Sequence, residues 1–248
     1  MPNPIWRIGS LPIVLFPVLL TIGCLVGARQ ALRIGARTGL DRGQLLRLIA
    51  AVLLAGFAGA HLFDVVAYTP QRIERNPLIV LEFWRGLSSY GGFAGALAGF
   101  LWYTRRAGLA RLAHADAIGY GLAPGWIFGR LGCFTAHDHP GELTDFFLAV
   151  DYPGGRRHDL GLYEAILAVA LTVLVLVAAR RKRPAGTIIG LLALLYAPVR
   201  FGLDFLRATG LGHSDPRYAG LTPAQWLSIA TFALGLAILS GRRSAPAG

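Results

Sequence analysis

Apolar residues run along this chain in blocks, separated by short stretches rich in arginine, glycine and proline. The blocks are Leu11 to Ala28, about Leu45 to Tyr68, Gly91 to Tyr103, His114 to Phe134, Leu160 to Ala179, Thr187 to Leu206 and Pro223 to Leu239. Several approach the ~20 apolar residues that cross a bilayer as a helix. The pattern predicts an all-α polytopic membrane protein with about seven transmembrane helices, a single integral membrane domain over residues 1–248. Extramembrane loops are expected at about 69–87 and 135–159, and Leu78 to Trp84 reads as a short interfacial helix. The first block lacks a strongly basic start and an A-x-A-like cleavage site, so it reads as an ordinary first span.

Composition agrees with the pattern. Of 248 residues, 54% are hydrophobic and 15% charged, against ~25% charged in soluble domains. Net charge is +11, but the distribution of the charge argues against nucleic acid as a partner. Fourteen of the 24 basic residues lie in one set of alternate short loops: Arg29 to Arg47, Arg105 to Arg111, Arg180 to Arg183, and Arg242 with Arg243. The positive-inside rule puts those loops and the C-terminus in the cytoplasm, and the N-terminus and the long loops outside. The bilayer itself is thus the first partner. Two cysteines, Cys24 and Cys133, are too few for a disulfide framework. Cys133, His137 and His139 alone make a thin ligand set for zinc, so no metal and no cofactor is expected.

The blocks are not wholly apolar. Arg130, Arg200, His61, Asp64 and Glu164 lie inside them. At ~1.5 Å of rise per residue, Arg130 is roughly 24 Å along a helix rising from His114, and Arg200 about 20 Å along one rising from Thr187. Ser88, Ser89, Tyr90 and Glu164 begin helices descending from outside, so the polar residues sort to the outer leaflet. Arg200, Asp204 and Arg207 have i, i+4, i+7 spacing, one face of a helix. Ionisable residues at membrane depth mark functional sites by default. A guanidinium fork suits phosphate. The expectation is a polar cavity on the outer side that holds an anionic lipid headgroup. The plainer alternative is that Arg130 and Arg200 pair with Glu164 and Asp204 to hold the bundle together. A transporter fits less well, because carriers place their sites near the midplane.

Four stretches, in order, resemble the prolipoprotein diacylglyceryl transferases, over about Ile8 to Gly235. Gly86-Leu-Ser-Ser-Tyr-Gly-Gly-Phe-Ala-Gly95 is similar to that family's GLSxHGGxxG. Gly129-Arg-Leu-Gly-Cys-Phe-Thr-Ala-His-Asp-His-Pro-Gly141 is similar to GRxG[NC]FxxG[DE]xxG. Arg157-His-Asp-Leu-Gly-Leu-Tyr-Glu164 resembles RHPxxLYE, and Arg200-Phe-Gly-Leu-Asp-Phe-Leu-Arg207 resembles RFxxEFxR. Leu221-Thr-Pro-Ala-Gln-Trp-Leu-Ser228 also fits.

The resemblance implies a bacterial inner-membrane enzyme with its cavity on the periplasmic side. That enzyme moves a diacylglyceryl group from phosphatidylglycerol to the lipobox cysteine thiol of a prelipoprotein, recognised through its signal peptide. A thioether forms and glycerol phosphate leaves. The same resemblance implies that Arg130 and Arg200 grip the phosphate, with Arg207 close by and Glu164 and Asp204 holding the guanidiniums. Gly91, Gly92 and Asp138, on motif positions, join the substrate-binding set, as does His61 from its depth on the second helix. The chain departs from the motifs at four places: Tyr90 stands for the proposed basic His, His137 for a loop glycine, Asp159 for Pro, and Asp204 for Glu. The base is then Tyr90 itself, His61, His137 or His139, or no base is needed; Tyr90 and His137 are the catalytic candidates carried forward. The alternative is a divergent paralogue that binds or modifies an anionic phospholipid without the transfer.

Overall fold

The computed structural model describes residues 5–8, 11–68, 70–82, 86–209 and 217–241. They form two compact units, residues 32–114 and residues 1–31 with 115–248. Phe83 to Arg85, Asp215, Arg242 and Arg243 lie outside the described residues, so the end of the expected interfacial helix and the last basic loop do too.

The chain begins with a hairpin, β1 (Ile5–Ile8) and β2 (Leu11–Val14), antiparallel with Ile5 opposite Val14. Leu11 to Val14 had been expected to be helical; the first helix, α1, instead spans Leu15–Arg37. It is followed by α2 (Arg42–Phe63), a π-helical turn at Asp64–Tyr68, α3 (Pro70–Arg75), a 3-10 turn at Pro77–Leu81, α4 (Ser89–Arg106) and α5 (Arg111–Ala136). Three short strands, β3 (Pro140–Leu143), β4 (Val150–Tyr152) and β5 (Gly155–Asp159), occupy the loop after α5. Then come α6 (Leu160–Ala178), α7 (Thr187–Leu203) with a 3-10 turn at Asp204–Leu206, and α8 (Pro223–Gly241).

The chain is an α-helical membrane protein. Among the described residues five helical stretches are long and apolar enough to cross a bilayer: Leu15–Arg37, Arg42–Ala67, Leu160–Ala178, Thr187–Leu206 and Pro223–Gly241. The other two expected spans, α4 and α5, are not among these five. Glycine lowers the hydropathy of α4, and Arg111, Asp116 and Arg130 lower that of α5. The burial on α6 is what lipid demands. Ile166, Val169, Val173 and Val177 are exposed, whereas Glu164, Ala165, Ala168 and Val175 are buried. A soluble protein would not leave that aliphatic stripe in water.

In the unit of residues 32–114, α2 and α4 pack backbone to backbone. Between helices in lipid there is little hydrophobic drive, and small residues permit the close contact that replaces it. A Cβ at Gly95 would lie 2.1 Å from the carbonyl oxygen of Ala55, and one at Gly59 would lie 2.5 Å from that of Gly91. Asp41 caps α2 by accepting the Gln44 N–H at 2.6 Å. Tyr103 on α4 donates to Gln44 Oε1 at 2.8 Å and accepts from Arg47 Nε at 3.0 Å.

The other unit repeats the device. A Cβ at Gly121 on α5 would lie 2.2 Å from the Gly27 carbonyl oxygen on α1. Asp116 on α5 accepts the N–H groups of Gly186 and Ile189 at 2.8 and 2.9 Å, satisfying orphan donors at the start of α7. The strands order as β3-β5-β4, all antiparallel. The last residue of β5, Asp159, is also the N-cap of α6, with Oδ1 accepting the Leu162 N–H at 2.9 Å. The sheet thus fixes where α6 begins.

Two glycines on the α2–α4 pair should respond oppositely to alanine. Gly95→Ala should lower the thermal unfolding midpoint in detergent, since the obstructing atom is backbone and overpacking costs ~1–3 kcal/mol. Gly56→Ala, whose Cβ meets nothing nearer than 3.5 Å, should hold or raise it. Equal midpoints for both variants would count against close packing as the basis of this pair.

Candidate functional site

The largest group of buried charges lies in the unit of residues 1–31 and 115–248. Arg130 comes from α5, Glu164 from the first turns of α6, and Arg200 from the last turn of α7. Glu164 is 1% exposed, Arg130 7% and Arg200 8%. Arg130 Nη2 lies 2.9 Å from Glu164 Oε2, and Arg200 Nε lies 3.5 Å from Glu164 Oε1. One carboxylate therefore serves two guanidiniums from different helices. Tyr196, one turn before Arg200, donates its hydroxyl to Glu164 Oε2 at 2.8 Å. Arg130 also stacks on Trp126, its guanidinium carbon 4.6 Å from the ring centroid. Among the described residues its buried Nε has no hydrogen-bond partner. A guanidinium carries five N–H donors in a planar fork, a geometry that suits a carboxylate or a phosphate.

Arg200 is shared with a second carboxylate. Its Nη1 lies 2.7 Å from Asp204 Oδ1, an i, i+4 pair, and the fully buried Asp204 also accepts from the Thr222 hydroxyl. Thr222 and Gln225 form a reciprocal box: the Gln225 N–H donates to Thr222 Oγ1 at 3.2 Å, and the Thr222 N–H to Gln225 Oε1 at 3.0 Å. This is the T-x-x-Q capping box at the start of α8. The expected single helical face from Arg200 to Arg207 does not form. Regular α7 ends at Leu203, the chain tightens into the 3-10 turn, and Arg207 pairs in a β-bridge with Gly141. Arg207 Nη1 still reaches to 3.9 Å from Asp204 Oδ1. Gly141 has no room for a side chain there, since a Cβ would lie 2.6 Å from the Leu206 carbonyl oxygen.

The loop residues after Arg130 gather around Asp159. His137 adopts φ 51, a left-handed conformation in which most residues are strained. Its Nδ1 lies 3.6 Å from Asp159 Oδ2, and its ring packs edge-on against Phe134 and Tyr152, centroids 5.8 and 5.2 Å away. Tyr152 donates to Asp159 Oδ2 at 2.6 Å. Burial, and then the Asp159 carboxylate that accepts its proton, raise the Tyr152 pKa well above the usual phenol range. Asp138 and His139 contact each other. Ligand atoms of Cys133, Asp138 and His139 fall within 4.8 Å of one another, a spacing that could hold a metal ion, although a closed zinc site takes four ligands.

The remaining predicted residues belong to the unit of residues 32–114. His61 is fully buried, with Nε2 3.0 Å from the Ile79 carbonyl oxygen and Nδ1 3.5 Å from that of Gly86. It ties down the loop between α3 and α4. Tyr90, in the first turn of α4, has its ring 6.5 Å from that of Phe63. Gly91 is buried against Gly59, and Gly92 faces Ala60. Sequence reasoning had not singled out Tyr196, Thr222, Gln225 or Tyr152. Three of them had a readable signal: Tyr196 precedes Arg200 by one turn, and Thr222 with Gln225 has capping-box spacing.

The family described as prolipoprotein diacylglyceryl transferase matches residues 3–240. A protein of Nitratidesulfovibrio vulgaris (strain DSM 19637 / Miyazaki F) named phosphatidylglycerol–prolipoprotein diacylglyceryl transferase is 34% identical over 205 residues, covering 81% of this chain and 76% of its own length. One of the same name from Janthinobacterium sp. (strain Marseille) is 31% identical over 213 residues, covering 82% and 79%. A third, from Aromatoleum aromaticum, is 28% identical over 246 residues, covering 96% and 91%. With the family match running over residues 3–240 and relatives above 30% identity covered over most of their length, the chain belongs to the prolipoprotein diacylglyceryl transferase family.

Proposed function

We propose that this protein transfers a diacylglyceryl group from phosphatidylglycerol to the lipobox cysteine thiol of prelipoproteins. A thioether forms and glycerol phosphate is released. The reading places it in a bacterial cytoplasmic membrane, with the N-terminus outside, the C-terminus in the cytoplasm and a polar cavity on the periplasmic side. It serves prelipoproteins through their signal peptides and needs no cofactor. The single observation that carries it is the convergence of two buried guanidiniums, Arg130 and Arg200, on Glu164.

The roles follow from charge. In the reaction the thiol sulfur forms a bond to the glycerol carbon and the carbon–oxygen bond to phosphate breaks, so negative charge grows on the phosphate. Preorganised guanidiniums in a low-dielectric site stabilise such charge without reorganisation. Arg130 and Arg200 supply them, with Arg207 at the rim. Glu164 and Asp204 hold the forks in place. The bundle-holding role of these carboxylates is compatible with that use, because a guanidinium has five N–H donors and one carboxylate can take only some of them. Gly91, Gly92 and Asp138 are assigned to substrate binding from their motif positions, and His61 from its place toward the outer end of α2, each within its own unit. A thiol of ordinary pKa ~8.5 must lose its proton to attack. Tyr90 and His137 are the two groups proposed to take it, and an imidazole's ordinary pKa of ~6.5 suits that task better than a phenol's ~10.

The experiment uses the full chain in vesicles containing phosphatidylglycerol, with a lipobox peptide added and the product read by mass. The diacylglyceryl adduct is expected. Its absence, beside an active relative, would favour a lipid-binding paralogue. Arg130→Ala should abolish the adduct, and full activity in that variant would remove Arg130 from the site. Glu164→Ala takes from buried Arg130 its carboxylate partner and leaves Arg200 with Asp204, so unfolding stability should fall by ~3–5 kcal/mol. Unchanged stability in a denaturant titration would mean that the pairs contribute little to the bundle.

A further inference from the structure

We propose that His137, oriented by the Asp159 carboxylate, is the group that removes the proton from the substrate thiol. This rests on the transferase reading above and adds a base to it. Two of the places where the chain departs from its family's motifs are His137, where the pattern has glycine, and Asp159, where it has proline. They are 22 positions apart in sequence, yet they meet, Nδ1 to Oδ2 at 3.6 Å. The chain lacks the motif histidine, and the imidazole it carries instead stands beside a carboxylate that could orient it.

The arrangement has the parts of a base with its orienter. Asp159 is held from two sides, by the Leu162 N–H on Oδ1 and the Tyr152 hydroxyl on Oδ2. The His137 ring is flanked edge-on by Phe134 and Tyr152, which sets its plane. His137 Nδ1 is buried and makes no hydrogen bond among the described residues, while facing the carboxylate. Catalytic hydrogen bonds are often long without substrate and tighten in the complex. With Nδ1–H directed at Asp159, Nε2 is the basic nitrogen.

The groups facing the ring are Asp159 and Tyr152 from the sheet and the start of α6, and uncharged Phe134 from α5. Asp138 and His139 follow in the chain and pair with each other. Glycine would suit φ 51 better than histidine does, so a side chain held there is strain of the kind that collects at functional sites. His137 also lies seven positions after Arg130, about two helical turns or roughly 10 Å of rise. That brings it to the scale of a single phospholipid headgroup.

The step balances as follows. The thiol proton passes to His137 Nε2, and the sulfur lone pair forms the C–S bond at the glycerol carbon. The C–O electron pair leaves on the phosphate, whose charge Arg130 and Arg200 offset. The imidazolium then gives its proton to the departing glycerol phosphate.

The test uses the same vesicle assay with full-length variants. His137→Gly restores the motif residue and relieves the backbone, so a purely structural role predicts no loss. As the base, its removal should lower kcat/KM by ~10²–10⁴-fold with the thermal midpoint unchanged or higher. Asp159→Asn keeps a side chain that caps a helix equally well. It removes the carboxylate oxygen that faces the ring, so kcat should fall while KM and the thermal midpoint hold. A His137→Gly enzyme at wild-type rate, or an Asp159→Asn enzyme at wild-type kcat, would overturn the role. No adduct from the wild type would overturn the transferase reading and this role together. Adduct from wild type and His137→Gly alike would overturn the role alone.

Discussion

The structure of the larger unit depends on a carboxylate that has two guanidinium partners. Glu164 is almost wholly buried, and a lone carboxylate or a lone guanidinium at that depth would be strongly destabilising. Sharing it between Arg130 and Arg200 ties α5, α6 and α7 to one point. The elements around that point serve to hold it. Asp159 starts α6 at the residue that brings Glu164 inward, and Tyr196 fixes the carboxylate from the neighbouring turn. Asp204 takes up the other side of Arg200 and is itself anchored by the Thr222 box at the head of α8. Four helices are thereby committed to one arrangement of charge.

Close backbone contact does the corresponding work where charge is absent. In lipid, apolar side chains gain little by leaving the bilayer for a helix interface, so contact distance matters more than hydrophobicity. The α2–α4 and α1–α5 pairs use facing glycines whose missing side chains would collide with carbonyl oxygens. Gly141 applies the same rule outside the helices, where the chain beside Arg207 leaves space only for a hydrogen atom.

The proposed chemistry makes use of the same economy of charge. Arg130 and Arg200 share the single carboxylate of Glu164, whose two oxygens cannot take up every donor of both forks. A guanidinium can remain folded against its carboxylate and still present hydrogen-bond donors to a phosphate, because its five N–H groups point in several directions. Stability of the bundle and binding of an anion therefore need not compete for these residues.

Sequence alone determined the class of the molecule, the order of its helices and the identity of its arginines. Those follow from local facts: apolar runs of membrane length, basic loops, and charged residues where lipid forbids them. The capping box at Thr222 was equally local, though easy to pass over as part of a motif. Tertiary structure decided what the charges do to each other. That Glu164 belongs to both Arg130 and Arg200, that Arg207 leaves the helix to pair with Gly141, that Asp159 faces His137 and that the loop after α5 folds into a sheet all depend on residues distant in sequence. Periodicity reports which face of a helix is polar. It carries no information on which polar faces meet, because that is set by how closely the backbones pack.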